Sequence, residues 1–97
     1  MPFAIVLAPQ AAEDLRRLRA AIRTTVKEAL NVHLRHEPGK VSRSRIKRLR
    51  GLSRPQYRLM VDDVRVFYDV TDTTVEILAI VSKAEAESWL RQFGSPE

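Results

Sequence analysis

The feature of this sequence that most constrains its fold is a change in the spacing of apolar residues near residue 40. Before that point, apolar residues recur at steps of three and four, which is typical of one face of an α-helix. This stripe consists of Leu15, Leu18, Ile22, Val26, Leu30 and Leu34. After residue 45 the apolar residues alternate, which is typical of β-strands. The pattern predicts an α+β fold with its helices first and most of its strands later.

Proline, glycine and turn residues set the expected boundaries of these elements. The predicted elements are a buried strand at 3–7, a helical hairpin over 10–36 that breaks near 19–21, a basic loop at 37–45, strands at 46–50, 56–61, 64–71 and 75–82, and a helix at 83–92. Ser82 and Glu85 have the spacing of a capping box, which favours a helix that begins at Lys83. The later strands are predicted to form a three- to four-stranded antiparallel meander, and residues 1–97 a single domain.

Two short connections, Asp62-Asp63 and Thr73-Thr74, have the composition of tight turns. If both are two-residue hairpins, Arg65 lies opposite Ser82, and Arg58 shares a face with these two residues. The other face then collects the apolar side chains that the helical hairpin would cover. That predicted core face consists of Tyr57, Leu59, Val61, Val64, Val66, Tyr68, Val70, Val75, Ile77, Ala79 and Val81.

The composition excludes several classes of protein. The chain has 97 residues and no cysteine, which excludes disulfides, zinc fingers and cysteine enzymes. No apolar run reaches the roughly 18 residues of a membrane span, and Met1 to Leu7 has no leader pattern, so we expect a cytoplasmic protein without membrane contact. His33 and His36 lie three apart on the helical stretch, but no further ligands lie at suitable spacing. We therefore expect no metal site.

Positive charge is concentrated in the middle of the chain. Residues 16–65 hold 15 lysines and arginines against four acidic residues, and the stretch from Lys40 to Arg58 has eight basic residues and no acidic one. Like charges at this density repel one another and favour an anionic partner. Charge alone leaves three interpretations open: a solvated basic loop, a nucleic-acid partner, or an acidic protein partner.

Four motifs resemble, in their order and spacing, the RelE/ParE superfamily of toxins from type II toxin–antitoxin pairs. They are Lys47-Arg48-Leu49-Arg50-Gly51-Leu52, Tyr57-Arg58-Leu59, Val64-Arg65-Val66-Phe67-Tyr68-Asp69-Val70 and Val75-Glu76-Ile77-Leu78-Ala79-Ile80. With the strand and helical hairpin before them, they cover nearly the whole chain. The fold that this resemblance implies agrees with the element order predicted from the residues.

The resemblance implies a toxin, with two possible targets. RelE-like members bind the ribosome and cut messenger RNA by attack of the 2′-hydroxyl on the adjacent phosphate, without a metal or cofactor. We expect this ribosome-dependent endoribonuclease activity, which inhibits translation. The alternatives are ParE-like inhibition of DNA gyrase, or a catalytically attenuated member that only binds antitoxin. The implied partners are a cognate antitoxin, the ribosome and messenger RNA or else gyrase, and operator DNA through the antitoxin complex only.

The resemblance also assigns roles to individual cations. Arg65 matches the family's catalytic arginine, and its planar fork suits the charge of a phosphate transition state. Arg58 matches a position that contacts the cut region, and Lys83 keeps one cation of the basic pair that follows the last strand in many members. We expect both to position phosphates. The residues predicted to bind nucleic-acid backbone, or antitoxin carboxylates, are Lys47, Arg48, Arg50 and Arg54.

Several positions depart from the RelE-like pattern. Met60 and Ala84 lie where RelE-like members carry basic residues, and Leu90 lies nearest to the position of their tyrosine. Trp89 could stack on a base instead, but a tryptophan on a short terminal helix more often anchors that helix to the core. These departures weaken the expectation of ribonuclease activity.

Overall fold

The computed structural model describes residues 2–97 as an α+β fold built around one mixed sheet with helices on both faces. Met1, the first residue of the predicted domain and of the stretch inspected for a leader, lies outside the described residues. The elements are β1 (Ala4–Leu7), α1 (Pro9–Arg17), α2 (Ala20–Leu34), β2 (Ile46–Arg48), β3 (Leu52–Arg54), β4 (Tyr57–Val61), β5 (Val64–Val70), β6 (Thr74–Ser82), α3 (Lys83–Phe93) and β7 (Ser95–Pro96). Within residues 2–97, no helix is long and apolar enough to span a membrane.

The main sheet has five strands in the order β1-β6-β5-β4-β2. Its last four strands in the chain form the predicted antiparallel meander, and β1 adds parallel to β6 as a fifth strand. The expectation of a buried first strand is wrong in part, because β1 lies at the sheet edge and Val6 is 47% exposed. A second sheet, formed by β3 and β7, was not predicted, since neither strand has an alternating apolar pattern.

The helical hairpin forms as predicted. α1 begins at Pro9, where a proline suits the first turn, and the chain breaks at Leu18 and Arg19, whose backbones are extended. Within the apolar stripe, the side chains of Leu15, Val26, Leu30 and Leu34 are buried, while Leu18 and Ile22 pack at its margin. The stripe therefore covers one face of the sheet, as its helical spacing requires.

One of the two predicted tight turns is wrong. The Asp62-Asp63 turn forms, and Asp62 adopts the left-handed backbone (φ 51°) that aspartate tolerates better than most residues. The other connection spans residues 71–74, where the Thr71 hydroxyl accepts hydrogen bonds from the backbone N–H groups of Thr73 and Thr74. This side-chain support stabilises the longer turn and changes the pairing of β5 with β6.

A bulge at Leu78 then moves the rest of β6 back by one residue toward the predicted register, which reverses the faces of its last residues. Phe67 pairs with Ala79, whereas Tyr68 pairs with Ile77, so Leu78 is the extra residue. Beyond the bulge, Ala79 and Val81 face α3, and Ile80 takes the place beside Val66 under the helical hairpin. The predicted core face is therefore wrong for Ala79 and Val81.

Helix α3 covers part of the opposite face of the sheet. The Ser82 hydroxyl accepts a hydrogen bond from the Glu85 N–H, which confirms the predicted helix start at Lys83. The Glu85 carboxylate accepts from the Ser82 hydroxyl, not from the backbone N–H as in a complete capping box. The helix packs on a small cluster whose buried members are Leu49, Phe67 and Ala79. Because this cluster is small, much of the face beyond α3 is free to carry polar side chains.

Candidate functional site

The candidate site lies on the face of the sheet that α3 covers only in part. Strand pairing places Lys47 opposite Arg58 and Met60 opposite Arg65. Arg58 and Met60 are two residues apart on β4 and therefore point to the same side. The prediction that Arg58 and Arg65 share a face is thus confirmed. No hydrogen bond or ion pair to a carboxylate involves either of them among residues 2–97.

Arg65 is buried, with only 7% of its surface exposed. Its Nη1 group donates hydrogen bonds to the backbone carbonyl of Asp62 at 2.8 Å and to that of Val64 at 3.1 Å. Both carbonyls belong to the β4–β5 hairpin, so the guanidinium holds the turn from which its own strand starts. A phosphate could contact this group only at the donors that remain, or after these bonds are broken.

Arg58 is half-buried and incompletely satisfied. Its Nε atom is buried without a hydrogen-bond partner, and its Nη2 atom lies 3.5 Å from the Met60 sulfur, which is a weak acceptor. Burial lowers the pKa of the Arg58 guanidinium, and the positive charge of Arg65 lowers it further. Arg58 remains protonated near neutral pH, because an arginine starts from a very high value. Arg58 and Arg65 therefore form a positive site that is partly shielded from water, and Met60 lies beside both residues.

Ser82 does not belong to this face, contrary to the predicted register. It pairs with Val64, and Arg65 lies opposite Val81, because the longer turn at 71–74 shifts β6 by two residues from the predicted register and the bulge at Leu78 restores only one. Lys83 follows on the first turn of α3 with an exposed side chain, and its backbone N–H donates to the Asp63 carbonyl at 2.7 Å. The structure thus places the backbone of Lys83 beside the β4–β5 hairpin that Arg65 contacts.

The four residues predicted to bind nucleic-acid backbone do not form one cluster. Lys47 and Arg50 line an open groove of about 550 Å³ together with three leucines of β3, α3 and the preceding loop. Arg48 lies on the other side of β2, where its guanidinium stacks 5.2 Å from the centre of the Tyr57 ring and donates to the Gln56 carbonyl. Lys47 and Arg50 therefore lie on one face of the sheet at this edge, and Arg48 lies on the other.

Arg54 departs furthest from its predicted role in binding nucleic-acid backbone, because it is paired with carboxylates of the same chain. Its guanidinium lies 3.0 Å from a Glu76 carboxylate oxygen and 3.6 Å from one of Asp69. Asp69 also accepts a hydrogen bond from the Gln56 N–H, which fixes the carboxylate beside β4. Arg54 is therefore neutralised within the chain. Nothing in the local sequence indicates this, since its partners lie on strands that reach it only through the fold.

The aromatic side chains serve the structure on both faces. Trp89 stacks on Phe67, with ring centres 5.0 Å apart and planes 8° apart, which agrees with the predicted anchoring of α3. On the helical side, the Tyr68 hydroxyl donates a hydrogen bond of 2.6 Å to the Pro38 carbonyl and so fastens the basic loop to the sheet. The sequence gives no sign of this second role, because a tyrosine in an alternating strand indicates only a core position. Among residues 2–97, no group of three histidine, aspartate or glutamate side chains is arranged to hold a metal ion.

Comparison with solved structures identifies toxins of the same fold. A chain of the RelBE2 toxin–antitoxin complex from Mycobacterium tuberculosis is 27% identical over 84% of this chain and 99% of its own, with a TM-score of 0.67. The archaeal RelE–RelB complex from Pyrococcus horikoshii matches at 24% identity over 86% and 97%, with a TM-score of 0.70. A mutant of the E. coli toxin RelE in the free state matches at 19% identity over 96% and 99%, with a TM-score of 0.68. The comparison with curated proteins gave no match.

The family assignment comes from the sequence profile described as the ParE toxin of the type II toxin-antitoxin system, parDE. This profile matches residues 5–87. The matched range includes the helical hairpin, most of the main sheet and the start of α3. It also contains all four motifs on which the resemblance was based. The chain therefore belongs to the ParE toxin family of type II toxin–antitoxin systems, within the RelE/ParE superfamily.

Proposed function

We propose that this toxin acts by binding, as a ParE-like inhibitor of DNA gyrase, and does not cut RNA efficiently. The observation that carries this proposal is the state of Arg65. A catalytic arginine must present its donors to the phosphate that changes charge in the transition state. Here one of its terminal nitrogens is hydrogen-bonded to two backbone carbonyls of its own hairpin, and the side chain is buried.

The rest of the face supports the same conclusion. Cutting RNA needs groups that accept and donate protons as well as groups that stabilise charge. The residues beside Arg65 on neighbouring strands are Met60 and Val81, which can do neither. Ala84 follows Lys83 where a second cation would be expected from the resemblance to RelE. A face built this way binds anions or a protein surface better than it moves protons.

We also propose that a cognate antitoxin holds the toxin inactive. The relatives from M. tuberculosis and P. horikoshii are both toxin–antitoxin complexes. In this chain, the groove that contains Lys47 and Arg50 is otherwise lined by leucines, which suits an acidic and apolar segment of a partner. The sequence of operator DNA would then be recognised through the antitoxin complex.

A RelE-like ribosome-dependent endoribonuclease is the second candidate. The observation that favours it is the buried, unpartnered Nε of Arg58 beside a second arginine. Two guanidinium groups without a counter-charge are a suitable place for a phosphate. In this case Arg58 would position the phosphate, and Arg65 would have to release its hairpin carbonyls when messenger RNA binds. Lys83 would approach from the first turn of α3.

The two candidates are separated by assaying the purified full-length toxin on both targets. We expect inhibition of supercoiling by purified gyrase, with no effect on a reconstituted translation system and no new 5′ ends within codons of translated messages. Co-purified antitoxin should abolish the effect on gyrase. Translation arrest with cuts inside codons, and no effect on gyrase, would contradict the proposal.

A matched pair of variants strengthens the test. Arg65→Ala removes the candidate catalytic group, whereas Arg17→Ala removes an exposed arginine of α1 that is paired with Glu13. If cuts occur and are lost only in a folded Arg65→Ala protein, the nuclease interpretation is correct. Circular dichroism of both variants shows whether a loss of activity reflects unfolding.

A further inference from the structure

We propose that the toxin itself binds the phosphate backbone of duplex DNA through the sheet edge at β2. We call this surface the basic edge and define it as Arg43, Arg45, Lys47 and Arg50. All four residues are exposed, and none of them takes part in an ion pair among residues 2–97. The proposal concerns DNA contact by the toxin alone, so it holds or fails whether or not gyrase is the target.

The basic edge gathers four exposed cations without a counter-charge within eight residues. Exposed cations elsewhere among residues 2–97 lie singly on or between helices, stack on a tyrosine ring, or are paired with a carboxylate. Arg16 and Arg17 share the carboxylate of Glu13, and Arg54 lies between two carboxylates of the sheet. Even within the same loop, Lys40 is paired with a glutamate. Uncompensated like charges repel one another, and an external anion relieves that repulsion. The surface that most needs such a partner is therefore the basic edge.

The backbone at this edge favours recognition by side chains over the addition of another strand. The Ile46 N–H points outward but already donates to the Ser42 hydroxyl, and the Ile46 carbonyl accepts a hydrogen bond of 2.9 Å from the Ser42 N–H. An extended peptide that joined the sheet here would need both groups. Because they are occupied, the edge offers mainly its cations to a partner.

Two of these cations have a spacing that is fixed by strand pairing. The Met60 N–H donates to the Arg45 carbonyl, and Lys47 pairs with Arg58, so Arg45 and Lys47 alternate with Ile46 and point to one side. Residues two apart on a strand lie roughly 7 Å apart. Two cations at this separation suit neighbouring charges of a polymer whose charges repeat regularly, as the phosphates of one DNA strand do. Such contacts bind without reading sequence.

The loop that leads into the basic edge is held in place before any partner binds. The Tyr68 hydroxyl donates to the Pro38 carbonyl, and the Ser42 hydroxyl accepts from the N–H groups of Arg45 and Ile46. Pro38 itself is buried. A backbone that is already ordered loses less conformational entropy on binding, so more of the electrostatic attraction is kept as affinity.

The experiment is a salt titration of binding to a short labelled DNA duplex, followed by fluorescence anisotropy. Two variants remove the basic edge in separate pairs, R43Q/R45Q and K47Q/R50Q. The control, R16Q/R17Q, removes the same formal charge from α1, where both arginines are paired with Glu13. The slope of log K against log salt is negative, and loss of one phosphate contact reduces its magnitude by about 1. Each edge pair should therefore reduce the magnitude by about 2. The control should leave the slope nearly unchanged.

Each other outcome would overturn the proposal in a specific way. Equal losses in the control and edge variants would mean that binding follows net charge alone. Tighter binding to an RNA hairpin than to the duplex would assign the edge to RNA. Displacement of the DNA by a polyglutamate peptide at equal charge concentration would mean that the edge serves only the acidic antitoxin segment proposed for the groove of Lys47 and Arg50. Two independent edge pairs, each checked by circular dichroism, keep the test valid if one pair folds poorly.

Discussion

The sheet face under α1 and α2 is lined with apolar side chains, whereas the face toward α3 combines a small apolar cluster with cations. On the helical side, Leu59, Val66 and Ile77 are completely buried in one continuous core. On the other side, only Leu49, Phe67 and Ala79 form the buried part of the cluster, and Arg58, Met60 and Arg65 lie beside it. The two faces belong to the same strands, but one carries a large apolar core and the other carries a few apolar side chains beside cations.

This difference shows which face of the sheet stabilises the fold and which face is free to vary with function. Burial of apolar surface is the main stabilising term in folding, and the helical face supplies most of it. The face toward α3 can therefore exchange cations for other residues without loss of the architecture. Toxins that share a fold and attack different targets are what such a division permits.

The sharpest test of the comparison uses two adjacent residues of β4 that point to opposite faces. Leu59→Ala should lower the free energy of unfolding by about 3 kcal/mol, because it leaves a cavity in a fully buried region. Met60→Ala should cost less than about 1 kcal/mol, since Met60 is only partly buried. Urea unfolding followed by circular dichroism measures both. Equal losses would mean that the two faces contribute alike, contrary to our interpretation.

A second test concerns the anchor of α3. Trp89→Ala should lower the unfolding free energy by about 2 kcal/mol, because the residue is stacked on Phe67 but partly exposed. Trp89→Phe keeps a stacking ring and should recover most of that loss. Phe93→Ala is the control, since that ring is 58% exposed and should change stability little. A Trp89→Ala protein as stable as wild type would show that α3 is held mainly by its other contacts.

Much of this architecture follows from sequence patterns that act over short distances. The helical stripe, the Ser82 cap and the Asp62-Asp63 turn each depend on residues within a few positions of one another, and all three form. The helical break also lies within one or two residues of its predicted position. The fold that the resemblance to toxins implies agrees with the element order predicted from the residues, and the comparison with solved structures supports it.

The failures occur where the outcome depends on tertiary structure. Residues 75–81 are apolar at all but one position, so their pattern cannot show where a bulge reverses the faces. Arg65 donates its hydrogen bonds to backbone carbonyls. Because every residue carries a carbonyl, the sequence does not indicate these partners. Arg54 meets two carboxylates that are distant in the chain. The candidate site was predicted at the level of the strand that carries each residue, but not at the level of its contacts.

A third prediction concerns the hydrogen bond that fastens the basic loop to the sheet. Tyr68→Phe should lower the unfolding free energy by about 1 kcal/mol, because the Pro38 carbonyl loses its donor. Burial, and to a smaller extent Tyr57, raise the pKa of Tyr68 above its ordinary value of 10.0. The folded state therefore keeps the phenol proton above pH 10.0, where the unfolded chain releases it, and stability falls as the pH rises through this range.

The control for this prediction is Tyr57→Phe, which keeps the buried Tyr68 phenol. Unfolding by urea at a series of alkaline pH values should give a steep loss for wild type and for Tyr57→Phe. For Tyr68→Phe the loss should be smaller by up to about 1.4 kcal/mol per pH unit. If all three proteins lose stability in parallel, the alkaline transition belongs to other groups. The link between the loop and the helical face would then rest on the remaining contacts.

The smallest expected effect comes from Arg54, which joins β3 to the carboxylates of β5 and β6. Its side chain is 53% exposed, so water and salt weaken its attraction to Glu76 and Asp69. Arg54→Ala should therefore cost only about 0.5 kcal/mol, and that cost should shrink further in high salt. Asp69→Asn is the sharper variant, because it also weakens the hydrogen bond that Asp69 accepts from the Gln56 N–H. Urea unfolding at low and high salt measures both. A loss in Arg54→Ala as large as that in Leu59→Ala would mean that this ion-pair group stabilises the face toward α3 as strongly as apolar burial stabilises the other.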